Sequence, residues 1–145
     1  MGALPASTRR PRTSPLSRWS DERLLDTRLC DLPLDLNRSP IRQCIRRVTD
    51  ELAERNLHIR PHFWFSQEWF SPDGVPGVAI PFYMAHPRLM RLERRMMRDV
   101  EGGTPGACMK ILRHEIGHAL DHGFLLHRRR SWQRVFGKSS SPYPS

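Results

Sequence analysis

The chain has 145 residues and a mass of 17.0 kDa, room for one ordinary domain and not two. Hydrophobic residues at 38% and aromatics at 8% suffice for a modest core, and no run approaches the roughly 18 apolar residues that a membrane-spanning helix needs. The formal net charge of +9 sits wholly at the two ends, because 15 of the 24 basic residues balance all 15 acidic ones between positions 21 and 127.

Residues 1–20 contain Arg9, Arg10, Arg12 and Arg18, no acid, and many Pro, Ser and Thr; this composition reads as a disordered basic tail. Met1-Gly2-Ala3-Leu4-Pro5 leads into it without an apolar segment, which argues against a secretory signal. The leucine-rich stretch from Asp21 to Asn37 suggests a short helix followed by an extended segment. One folded domain is expected over 21–130, with a second basic, Pro/Ser-rich tail over 131–145.

Ser39-Pro40 reads as a helix start, a Ser cap followed by Pro where no N–H is needed. Ile41, Cys44, Ile45, Val48 and Leu52 then recur on one helical face, and the helix should fade near Asn56. Alternation of Leu57, Ile59, Phe63 and Phe65 with polar residues suggests a strand, with Pro61 favouring an edge or a break. Ser71-Pro72-Asp73-Gly74-Val75-Pro76-Gly77 is a turn by composition, and 78–83 reads as a second Pro-marked strand. A helix is expected from Pro87 to about Arg98, with Leu89, Leu92 and Met96 inward. The last helix starts at Thr104-Pro105 and runs to about His127, where Arg128, Arg129 and Arg130 suit the negative end of its dipole. These elements predict an α+β fold, with a small sheet packed on the last helix.

That helix carries His114-Glu115-Ile116-Gly117-His118, an HExxH pattern. One turn of helix, about 6 Å along the axis, separates the two histidines, so both imidazoles leave one face and can share a zinc ion. Glu115 lies about 100° round the helix and can reach a zinc-bound water without ligating the metal. Zinc lowers the pKa of such a water, and the carboxylate takes its proton and delivers it to the leaving amine. This is the logic of peptide-bond hydrolysis by a zinc protease, with Glu115 catalytic and His114 and His118 as metal ligands. Ile116, Ala119 and Leu120 supply uncharged positions, and Gly117 suggests close approach of another backbone.

The third protein ligand is not apparent. His122 continues the face, but its Cα would lie about 12 Å from that of His114, too far for three turns of a straight helix to converge on one ion. It fits better as a packing residue or a support for a ligand. Asp121 and His127 are no better spaced; Asp121 could orient a ligand imidazole or bind the following loop. A metzincin needs histidine six residues past His118, where Phe124 stands. His58, His62 and His86 carry no pairing signal. The three cysteines, Cys30, Cys44 and Cys108, lie far apart without a CxxC pair and are expected as buried free thiols in a reducing cytoplasm.

Several long stretches carry a family likeness: Pro61-His62-Phe63-Trp64, residues 68–77, residues 81–89, Val100-Glu101-Gly102-Gly103-Thr104, and residues 111–121 continuing into 126–130. In these the chain resembles a bacterial family of zinc-binding metallopeptidases, over roughly Leu29 to Pro144. The resemblance implies a gluzincin-like hydrolase with His114 and His118 on zinc and Glu115 as general base. It implies an acidic third ligand on a later helix, yet no Asp or Glu follows Asp121, so a C-terminally truncated member is expected. The expected partner is a peptide or protein substrate held along a sheet edge, at 57–65 or 78–83, with no membrane. Two alternatives stand: an inactive zinc- or peptide-binding module, and a polyanion-binding protein making nonspecific nucleic-acid contacts through its Arg-rich tails.

Overall fold

The computed structural model describes residues 14–142, which divide into two compact units, one ending at Pro33 and the other beginning at Leu34. The first unit is built from single turns. A 3-10 turn at Pro15–Arg18 is followed by α1 (Asp21–Leu25), whose first turn is capped by Ser20 Oγ accepting from the Arg23 N–H, and by a second 3-10 turn at Leu29–Asp31. Leu16, only 1% exposed, and Leu24 are buried. The expectation of a disordered tail through residue 20 is therefore corrected over its described part. A buried leucine and the Arg23 guanidinium stacked 3.9 Å from the centre of the Trp19 ring order residues that composition marks as tail-like. Residues 1–13 of that tail lie outside the described residues.

The second unit is α+β. Its elements are α2 (Ile41–Glu54), β1 (His62–Ser66), β2 (Gly77–Pro81), α3 (Pro87–Met97), α4 (Pro105–Phe124) and α5 (Arg130–Phe136). In α2, Ile41, Val48 and Leu52 are buried and Cys44 and Ile45 half-buried, the face anticipated from periodicity. Its start differs in detail: Ser39 Oγ donates to the Leu36 carbonyl instead of capping the helix, and Pro40 takes the N-cap position. A left-handed Asn56 stops the helix, as asparagine tolerates.

Both strands are shorter than their apolar patterns. Pro61 stands just before β1 and Pro81 ends β2, each where a missing N–H costs no ladder bond; the chain then turns through a 3-10 segment at Phe82–Ala85. The two strands pair in parallel, His62 opposite Gly77 through Ser66 opposite Pro81. The connection between them crosses to the other side of β2, where Phe70 and Ala79 exchange both backbone bonds. So β2 is flanked on both sides at Ala79, and the edge left without a strand neighbour, among the described residues, belongs to β1.

The core gathers around α4, which packs on β2 and on α2. Val78, Ala79 and Ile80 of β2 and Leu112 and Ala119 of α4 are all 0% exposed. Trp69 Nε1 and the Tyr83 hydroxyl both donate to the Glu101 carbonyl, at 3.3 and 3.2 Å, and so tie the inter-strand connection and the 3-10 segment to the loop before α4. Gly102, at φ +79°, lies against the Trp69 indole, where a Cβ would sit 3.1 Å from Cζ2. Past α4, α5 reaches into the residues expected as a basic, Pro/Ser-rich tail, with Trp132 and Phe136 rings 4.9 Å apart.

Candidate metal centre

Thr104 starts α4 as expected: its Oγ1 accepts from the Ala107 N–H, and Pro105 occupies the first helical position. The helix buries Cys108, Met109, Leu112, Ile116 and Ala119 along one stripe, which turns His114 and His118 outward. Their side chains converge. The two Nε2 atoms are 3.1 Å apart, and the rings, with centroids 4.8 Å apart, stand at 81° to each other. Two Zn–N bonds of 2.0–2.1 Å at a tetrahedral angle place their nitrogens about 3.3 Å apart. The imidazole pair therefore fits one edge of a zinc tetrahedron with a shift of a few tenths of an ångström. Both histidines are exposed and open to solvent, and Glu115 is half-buried at their flank.

Arg113, beside His114, forms a two-pronged bond with Glu51 of α2: Nε to Oε2 at 2.8 Å and Nη2 to Oε1 at 2.7 Å. This fork, with Arg47 Nε 3.4 Å from the same carboxylate, joins α2 to the turn of α4 that carries the imidazoles. The Arg113 bond holds the Glu51 carboxyl below its ordinary range. A separation of 62 residues hides this pair from sequence reasoning; only the tertiary packing of α2 on α4 brings the charges together.

His122 Nε2 lies 3.5 Å from Asp73 Oδ1, in the connection between the strands. Asp121 binds the following loop: its Oδ1 accepts from the His127 N–H at 2.7 Å and lies 3.0 Å from His127 Nδ1. Burial raises the Asp121 carboxyl, but these bonds outweigh it and leave the group below its usual range. Asp121 thus closes the end of α4, which stops at a left-handed Leu125 rather than continuing to His127. His86 Nδ1 caps α3 by accepting from the Arg88 N–H, a role that His-Pro at a helix start could have signalled. His58 and His62 are exposed, before and at the start of β1. Among the described residues, no group of three or more His, Cys, Asp or Glu side chains is placed to hold a metal. Gly117 also differs from expectation: no atom lies within 4 Å of where its Cβ would be, so it leaves space beside the imidazoles rather than admitting a backbone. No family model, curated protein or solved structure matches this chain.

Proposed function

We propose that this chain is a zinc-dependent metallopeptidase-like protein, related to the bacterial zinc-binding metallopeptidases that it resembles, and that it acts on peptide bonds in the cytoplasm. The observation that carries the reading is the convergence of His114 and His118 Nε2 to 3.1 Å on the open face of α4, with Glu115 alongside. Zinc bound there would supply Lewis acidity, polarising a scissile carbonyl and acidifying water. The protein's own part is narrower. His114 and His118 would hold the ion through Nε2, and the Arg113–Glu51 fork steadies the helical turn that presents them. Glu115 holds the proton taken from the attacking water and passes it to the leaving amine. The remaining ligands of such an ion would have to come from water or from a partner. A peptide substrate is best accommodated as an added strand on β1, the edge left without a neighbouring strand. Three free thiols suit a reducing compartment, and no helix of the described residues is long and apolar enough to cross a membrane.

The expected result is one zinc per purified chain by elemental analysis, lost in His114→Ala and in His118→Ala. Glu115→Gln should keep the metal and abolish cleavage of unfolded protein substrates. A chain that takes up no zinc on reconstitution ends the proposal. Zinc binding with equal turnover in wild type and Glu115→Gln selects the second reading, an inactive zinc- or peptide-binding module, which the lack of a third donor among the described residues favours.

A further inference from the structure

Away from the imidazoles, α2, α4, Met84, Met90 and the loop before α4 line a half-open cavity of about 300 Å3. Its lining includes Cys44, Cys108, Met84, Met90 and Met109, five of the nine sulfur-bearing side chains in the sequence. Cys44 and Cys108 come from positions 64 residues apart, yet both line this one cavity. Cys108, Met84 and Met109 are buried, while Cys44 and Met90 are partly exposed, so the cluster has a protected side and an accessible side. Arg47 is the one cationic side chain of the lining.

We propose that this cavity is a binding site for a soft monovalent cation, Cu(I), held by the sulfurs of Cys44 and Cys108 with thioether support from the methionines. Thiolate and thioether donors select Cu(I) over the harder divalent ions, and zinc would find neither imidazole nor carboxylate in this lining. Binding replaces two S–H bonds with two S–Cu bonds and releases two protons to solvent, with no change of oxidation state. The bound unit, two thiolates and one Cu(I), carries one negative charge beside the Arg47 guanidinium. Thr104 and Pro105 bring the N-terminal end of α4 to the same cavity, and its positive dipole favours thiolate there. Burial, with a smaller contribution from the neighbouring Cys44 thiol, pushes the Cys108 thiol far above its usual range, so a metal is what would ionise it. The volume exceeds that of an ion and leaves room for a small-thiol complex of the cation to exchange its ligands.

The test is anaerobic titration of the fully reduced chain with Cu(I) presented as its bicinchoninate complex. The His114→Ala/His118→Ala background is used, so that copper on the imidazoles is not counted. Uptake of one Cu(I) per chain is expected, with X-ray absorption showing a sulfur-only first shell. Uptake should fall at least tenfold in Cys44→Ser and in Cys108→Ala and persist in Cys30→Ser. Met84→Leu and Met90→Leu, which conserve core volume, should weaken binding without unfolding the chain. A nitrogen-dominated shell on the unsubstituted cysteines, uptake unaffected by both cysteine variants, or conversion of the pair to a disulfide without copper retention would each overturn the proposal.

Discussion

His114 and His118 stand where a helix must put residues four apart, and their nitrogens meet without help from any distant part of the chain. Other single residues have roles that no spacing announces. The Tyr83 hydroxyl is held on the Glu101 carbonyl at 3.2 Å, and burial, with smaller contributions from Glu93, Glu101 and Asp99, raises its pKa to about 12. The sign follows from linkage. The phenol stays protonated in the fold to a higher pH than in the unfolded chain, where it ionises near 10. Its contribution to stability is therefore complete below about pH 10 and is lost as pH rises towards 12. Tyr83→Phe should be less stable than the parent at neutral pH and lose less stability across that window, as read from denaturant midpoints at successive pH values. Parallel curves for the two proteins would contradict this assignment.

At the scale of elements, α4 is the helix on which both the core and the candidate centre depend. Its cap, its Pro and its apolar stripe were legible because each is a local rule satisfied by neighbouring residues. Its end was not: Asp121 reaches forward to His127 and stops the helix at Phe124, a tertiary choice between helix and loop that the pattern leaves open. Gly117 sits within α4 with open space around it, so Gly117→Ala should raise stability by about 1 kcal/mol through helix propensity alone. If that space admits substrate beside the imidazoles, the same variant should keep zinc and lose peptidase turnover. Unchanged turnover in the stabilised variant would show that the space is not used. The strands teach a different lesson. Alternation located the first and an apolar run the second, but the parallel pairing and the crossing of the connection to Phe70 depend on which hydrogen bonds close in three dimensions.

Over the whole molecule, charge and core are segregated. The basic excess lies at the ends, and in the described C-terminal part Arg130, Arg134 and Lys138 line one shallow depression on and just after α5. Replacing Arg128, Arg129, Arg130, Arg134 and Lys138 with Gln should lower the salt concentration needed to elute the chain from an immobilised polyanion, while zinc binding stays intact. Elution at the same salt would place the attraction elsewhere. By itself the sequence determined the α+β class, the helix bearing HExxH and the outward face that its histidines share, because helical periodicity and capping act within a few residues. Tertiary structure alone decided the strand direction, the Glu51–Arg113 fork, the placing of Cys44 and Cys108 on one cavity and the burial of Leu16. Each of these depends on residues or surfaces that only the folded chain brings together.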